Sequence, residues 1–410
     1  MTSQPVFAHN WLASPHLENP YPLFVEARQT APIFYSPIFN LWCITRYRDV
    51  RAALMDPQRF SSKFLIRTPY TAPPKVIEAL NQGYAEEQVL VNEDPPDHSR
   101  TRHLVNQAFA PRRIYGLEPQ IKAITNRLID AFIGAGQADV VAELAAPLPL
   151  AVLAELIGLP HEDLGQIKRW TEDLIMLTST ESSLERQVAG AQGSVAFQRY
   201  LEAQIAERRQ TPRDDLLSTL TQFSFENGER WTDSQLISLL ISVIFAGHET
   251  TTNLIGNLLL QVFGQPGLWQ QLQAEPARVP DAIEEALRID GPIRAMFRVT
   301  TEDVALDGAT IPAGSQVLLL FGAANRDDEM FAEPDRFDID RPNKEQHLGF
   351  GRGIHFCVGA TLARLEARIA LTTLAERIPQ ARLAPDYRPT YLPSLLHRGP
   401  QRLHLIWDKA

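Results

Sequence analysis

Cysteine is almost missing: Cys43 and Cys357 are the whole supply in 410 residues. Two thiols cannot build a disulfide framework for a chain this size, so a reducing, cytoplasmic compartment is the expectation. A basic surplus is missing too, with 39 Lys and Arg against 49 Asp and Glu and a net charge of −10. That balance argues against a nucleic-acid binder, whose phosphate contacts require excess positive charge. Long apolar runs are also absent. The N-terminus, Met1-Thr-Ser-Gln-Pro5, shows no basic stretch followed by an apolar one. The most apolar window, Leu236 to Phe245, is about half a membrane span, and polar residues from His248 to Asn253 interrupt it. No membrane anchor is therefore expected. Without repeats, low-complexity tracts or a Gly/Ser linker, residues 1–410 read as a single domain. At 44% hydrophobic and 21% charged, the composition is that of a globular protein with material for a sizeable core.

Helical patterning dominates from about residue 95 to 290. Strands are expected at Pro32–Tyr35, Leu41–Thr45, from Val304 through Leu320, and in the alternating tail Arg402–Trp407. The stretch Ser61–Asn92 has weak periodicity and reads as a long, adaptable loop. Thr232 and Gln235 have capping-box spacing, and Gly264 followed by Pro266 supplies a stop. The helix between them, roughly thirty residues, is far longer than the usual 11–12. A helix that long and apolar must cross the molecule's middle, so its acid and hydroxyls sit in the interior.

The strongest chemical signal is Phe350-Gly351-Arg352-Gly353-Ile354-His355-Phe356-Cys357-Val358-Gly359. The glycines permit tight turns and a close approach of backbone to a flat ligand. From Ala360 to Ile378 an amphipathic helix is predicted, with Leu362, Leu365, Ile369, Leu374 and Ile378 inward. Cys357 thus precedes a helix N-terminus, where free N–H groups favour thiolate over thiol. A thiolate there suits a soft metal, and on haem it pushes electron density toward bound oxygen.

The whole pattern resembles the haem-binding loop of the cytochromes P-450, and the resemblance extends over nearly the whole chain, from Asn19-Pro20-Tyr21-Pro22 to the final strand. It implies a mostly α, triangular domain with a smaller β region. Haem b (iron protoporphyrin IX) would lie between the long helix and the helix after the ligand loop, with Cys357 on the iron and Phe350 beside it. Ala246-Gly247-His248-Glu249-Thr250-Thr251 looks like the family's oxygen-activation motif. Small side chains at Ala246 and Gly247 would leave room for haem and dioxygen, while Glu249 and Thr250 pass protons toward the oxygen. Glu285-Ala286-Leu287-Arg288 places an acid and an arginine on one helix face. In the family this pair joins an arginine from a later segment, here assigned to Arg336, to hold the cysteine loop. His98, Arg102, Arg298 and His355 are assigned to the haem propionates, which need cationic partners.

The resemblance puts substrate against Ser61–Asn92, the helices around Leu164–Tyr200, Ile293–Phe297 and Leu395-Leu396. Most of these side chains are apolar, so a small hydrophobic organic substrate is expected, with Ile293, Leu395 and Leu396 as candidate contacts. Arg294 departs from the aliphatic residue often found there. It either points into the pocket to recognise a carboxylate, or turns away into a structural ion pair. Arg100, Arg112, Arg113, Arg352, Arg364 and Arg368 would suit an acidic electron donor. No flavin or iron–sulfur domain is fused, so a separate ferredoxin with its NAD(P)H-dependent reductase is implied. The expected activity is monooxygenation with O2. A peroxygenase fed by hydrogen peroxide typically lacks the Glu249-Thr250 pair. A non-catalytic recruitment module can lose the thiolate or the relay, and a zinc-like Cys/His site lacks spaced partners.

Overall fold

The computed structural model describes residues 5–63, 72–178, 183–225 and 228–409. They form two compact units. The first comprises Met1–Lys63, Ile114–Pro149 and Glu249–Ala410, and the second Phe64–Arg113 and Leu150–His248.

A five-stranded sheet organises the first unit. Its order is Ile33–Ser36, Leu41–Ile44, Gln316–Leu319, Met296–Thr300, Phe60–Ser61. All neighbours run antiparallel except Leu41–Ile44 with Gln316–Leu319, where Cys43 lies opposite Leu318. Successive strand residues point to opposite faces, and here both faces are covered. Ile33, Trp42, Ile44, Val317 and Leu319 enter one hydrophobic cluster, while Phe34, Leu41, Cys43 and Leu318 enter another. Double burial explains why these strands read as unbroken apolar runs rather than alternating ones. The predicted span from Val304 to Leu320 resolves into Val304–Leu306, Ala309–Ile311 and Gln316–Leu319. The tail strand is His404–Ile406, between Gln137–Asp139 and Arg382–Leu383.

The second unit is helical. Leu164–Thr178 and Leu184–Gln210 pack together, with Trp170 stacked on Phe197 at 5.3 Å. Within Ser61–Asn92, read from sequence as one loop, Pro74–Leu80 is a helix whose Val76 and Ala79 are buried. Pro74 starts it, because a proline in the first turn costs no hydrogen bond. With only seven residues, this helix shows too little periodicity to be read in advance. Residues 64–71 of that segment and 179–182 of the candidate substrate helices lie outside the described residues.

The long helix runs Asp233–Gly264, 32 residues, and belongs to the second unit through His248 and to the first from Glu249. Its start is the expected capping box. The Gln235 backbone N–H donates to Thr232 Oγ1 at 3.2 Å, and the Thr232 N–H donates to Gln235 Oε1 at 3.0 Å. Among the described residues, no helix is long and apolar enough to cross a membrane.

Thr232→Ala is expected to cost about 1 kcal/mol, the usual worth of such a cap. In a chemical-denaturation double-mutant cycle, Gln235→Ala should add little more once Thr232 is gone, since each supports the other.

Candidate active site

The loop before the last long helix keeps its shape through its own backbone. The Cys357 N–H donates to the Phe350 carbonyl at 2.9 Å, and the Gly351 N–H to the Leu348 carbonyl at 2.8 Å. Gly353 has φ +71°, and a Cβ there would lie 2.5 Å from the Leu54 carbonyl oxygen, so only glycine fits. Phe350 through Gly359 are all half-buried, while His347–Gly349 before them and Ala360 after them are buried. The loop therefore turns one side of itself away from protein cover. Ala360–Arg377 follows, with all five predicted inward residues covered, from Leu362 to Ile378 just past its end. Cys357 stands three residues before the helix, where the dipole favours thiolate.

The loop is anchored by a buried ion network. Arg288 donates to both carboxylate oxygens of Glu285, at 2.8 and 2.7 Å, and both side chains are fully covered. Its remaining donors reach the carbonyls of Asn325, Pro334 and Arg336. The second arginine is Arg341, 3.1 Å from Glu285 and 4% exposed. The assignment to Arg336 is corrected: its side chain is 63% exposed and pairs with Glu333, and only its carbonyl joins the network. The physical reason is saturation: Arg288, Arg341 and the Asp338 N–H already occupy the Glu285 carboxylate. Asn325 passes the order on, since its Oδ1 accepts from the Leu348 N–H at 2.7 Å.

A second bracket was not anticipated from sequence. Glu284 accepts from Arg364 at 2.6 and 2.8 Å and contacts His347 Nε2 at 3.1 Å. The Arg364 guanidinium lies over the Phe350 ring, 4.5 Å from its centroid. Burial raises the Glu284 carboxyl, but Arg364 and His347 outweigh it and hold the group at about 2. Burial lowers the Arg364 pKa, yet Glu284 and then the Cys357 sulfur keep it above its usual value. The available signal was the adjacent acid pair Glu284-Glu285, of which only the second fits the known motif.

In the middle of the long helix the cover opens. Leu236, Ile237, Leu239 and Leu240 are buried, as are Leu254, Ile255, Leu258 and Leu259. Between them Ala246 is exposed, and Gly247, His248, Glu249 and Thr250 are half-buried. A Cβ on Gly247 would press on Leu153 at 3.0 Å, so small size there also serves helix packing. In the second unit, His98 is 2% exposed on the helix Asp97–Ala108, and half-buried Arg102 lies one turn on. Burial, then Arg102, lowers the His98 pKa, with Asp94 opposing. In the first unit, Arg298 is 4% exposed on the strand Met296–Thr300, opposite Val317 of the central strand, and His355 closes a short turn of the loop.

Arg294 was expected either as a substrate contact or in a structural ion pair. It is 3% exposed and its guanidinium donates to the Ser394 carbonyl, with burial pushing its pKa down to about 10. The ion-pair alternative is not seen: among the described residues no carboxylate lies within 4 Å of it. Ile293, Leu395 and Leu396 are half-buried; Ile293 bridges to His397, and the leucines pack on the sheet's second cluster.

These residues fit a haem. The first unit offers a half-buried pre-helical cysteine together with Arg298 and His355, and the second offers exposed Ala246 together with His98 and Arg102; these are the side-chain types that a flat, iron-bearing ring with two carboxylates requires. The comparisons agree. The cytochrome P450 family model matches residues 174–378. Cytochrome P450 107B1 of Saccharopolyspora erythraea is 42% identical over 371 residues, 89% of this chain and 88% of that protein. Cytochrome P450 monooxygenase PikC of Streptomyces venezuelae is 37% identical, covering 100% of this chain and 96% of its own. The solved structure of cytochrome P450 CREJ in complex with (4-ethylphenyl) dihydrogen phosphate superposes with a TM-score of 0.90 at 32% identity, covering 95% and 98%. The chain belongs to the cytochrome P450 family, has its fold, and is an oxidoreductase of the monooxygenase class; the family works with haem and dioxygen.

Glu285→Gln should destabilise by about 3–5 kcal/mol, because it leaves buried arginines without their counter-charge. Thermal unfolding with and without the substitution checks it, and Arg336→Gln should stay within about 0.5 kcal/mol of wild type. The Glu284 carboxyl, ordinarily near 4.5, is depressed to about 2. Its contribution, roughly 3 kcal/mol, is complete above pH 4.5 and drains away as pH falls toward 2. Melting temperature against pH should therefore fall less steeply across that window in Glu284→Gln.

Proposed function

We propose that this cytochrome P450 inserts one oxygen atom from O2 into a small hydrophobic organic substrate, by hydroxylation, epoxidation or dealkylation. When bound, the haem supplies dioxygen binding and its reductive activation, with two electrons and two protons leaving one oxygen in product and one in water. Cys357 would hold the iron of a bound haem, and Phe350, under Arg364, fixes the loop around that cysteine. His98, Arg102, Arg298 and His355 would take the propionates of a bound haem, offering hydrogen-bond donors and positive charge to its two carboxylates. Ala246 leaves space on the helix for the flat ring. Thr250 holds a proton at its hydroxyl and Glu249 replenishes it, the division of labour expected of a general-acid pair. Ile293, Leu395 and Leu396 line the apolar side against which substrate rests.

The observation that carries this reading is Cys357: half-buried, pinned at its backbone to Phe350, and placed before a helix N-terminus. Electrons come from a separate ferredoxin and its NAD(P)H-dependent reductase. Of the six arginines suggested for docking, Arg364 is bound to Glu284, Arg368 to Glu118 and Arg113 to Asp214. Each keeps part of its surface exposed, and Arg100 and Arg112 are exposed. We take residues 1–410 to act as one catalytic domain.

The dithionite-reduced protein under carbon monoxide is expected to show the strongly red-shifted Soret band of thiolate-ligated haem, and Cys357→Ser to lose it. A band at the position of histidine-ligated haem would overturn the assignment. With ferredoxin, reductase and a turned-over substrate, Thr250→Ala should go on consuming NAD(P)H while most electrons appear as hydrogen peroxide instead of product.

A further inference from the structure

A proton held by Thr250 and Glu249 must first reach Glu249, and the residue beside that carboxylate was not among the sequence candidates. The long helix lays one face along residues 397–400. A Cβ on Gly399 would collide with Asn253 Oδ1, and one on Gly256 would meet Pro400 Cγ at 3.1 Å. Asn257 Nδ2 donates to the Arg398 carbonyl at 2.9 Å. Glu249, Asn253, Gly256 and Asn257 stand at i, i+4, i+7 and i+8, which is a single helix face. Pro400 therefore lies by Gly256 and Gly399 by Asn253. One further helical turn back is about 6 Å, and two further residues of extended chain are about 6.6 Å. The two steps match and bring His397 to the level of Glu249.

Electrostatics supports the same pairing. Burial lowers the His397 pKa most; Glu249 acts to raise it and Arg294 to lower it. The histidine is held in place, its N–H donating to Ser394 Oγ at 3.0 Å and its backbone bridging Ile293. Arg294 is fixed behind it by the Leu396 carbonyl, which accepts from its N–H at 2.8 Å, and by the Ser394 carbonyl. Arg294 Nε is buried without a hydrogen-bond partner, so its charge is poorly screened. Glu249 from the helix and Arg294 from the neighbouring segment are the charged groups bearing on the ring; Asn253 is neutral.

We propose that His397 is the positioning residue that refills Glu249, exchanging protons with its carboxylate across a bridging water. In each transfer one proton leaves the imidazolium for the carboxylate, and the neutral ring regains one from solvent. No electrons move. Burial, with Arg294 acting in the same direction, lowers the ring's hold on its proton against the pull of Glu249, which favours releasing the proton over storing it. This rests on the reading of Glu249 as a proton donor to Thr250.

The pairing is tested by titrating the His397 ring by nitrogen-15 NMR in the diamagnetic ferrous carbon-monoxide holoenzyme. Glu249→Gln should move the titration to lower pH and Arg294→Met to higher pH; shifts of opposite sign are not what loosened packing would give. If neither variant moves it, the pairing is wrong. Its use is tested on 7-ethoxycoumarin dealkylation with a ferredoxin and reductase. His397→Phe should lower product per NAD(P)H about tenfold, the usual scale for a residue acting through another, and flatten the pH profile of that yield. His397→Gln should recover part of it, with the carbon-monoxide spectrum unchanged throughout. If Glu249→Gln depresses the yield and His397→Phe does not, this inference fails while the role of Glu249 stands. If Glu249→Gln has no effect, both fall.

Discussion

Two charges without water around them hold this molecule's chemistry in place. Glu285 and Arg288 are fully covered, and a carboxylate taken out of water costs several kcal/mol unless every lone pair is used. Here every one has a use. Arg288, Arg341 and the Asp338 N–H fill the acid, and the spare guanidinium donors take carbonyls between residues 325 and 336. An irregular stretch thereby acquires a fixed path. That path delivers Asn325 to Leu348, and Leu348 opens the loop bearing Cys357. The network is structural in its energetics and functional in its consequence.

Beside it, the Glu284–Arg364 bracket works on the loop's other flank. Arg364 joins three things at once: a depressed carboxylate, an aromatic face and the sulfur's field. Adjacent residues of one helix therefore serve different tasks, Glu285 steering the approach to the loop and Glu284 steadying Phe350 within it. The helix period puts their side chains about 100° apart, which is why one short segment can do both.

Much of this was legible in the chain. The capping box of the long helix, the turn glycines and the inward stripe after Cys357 are local patterns, set by neighbours a few residues away. What escaped was non-local. Arg336 and Arg341 are indistinguishable by sequence context, and only the folded path shows which side chain turns inward. Arg294 was expected either in the pocket or in an ion pair; a backbone carbonyl a hundred residues on took it instead. His397 acquires meaning only because Gly399 and Pro400 dock on a helix that lies far earlier in the chain. Sequence patterns record the period of an element, whereas its partners depend on tertiary register.

The two-faced sheet leaves one practical legacy. Cys43 faces Phe34 and Leu318 with no exposed surface, and burial pushes its thiol well above the ordinary range. It is chemically silent while the strands stay paired. Cys357 is the other sulfur, and with haem bound as proposed its iron would mask it. Counting alkylatable thiols therefore sorts the chains of any preparation into three populations: none for loaded protein, one for native protein without its prosthetic group, and two for chains whose sheet has come apart.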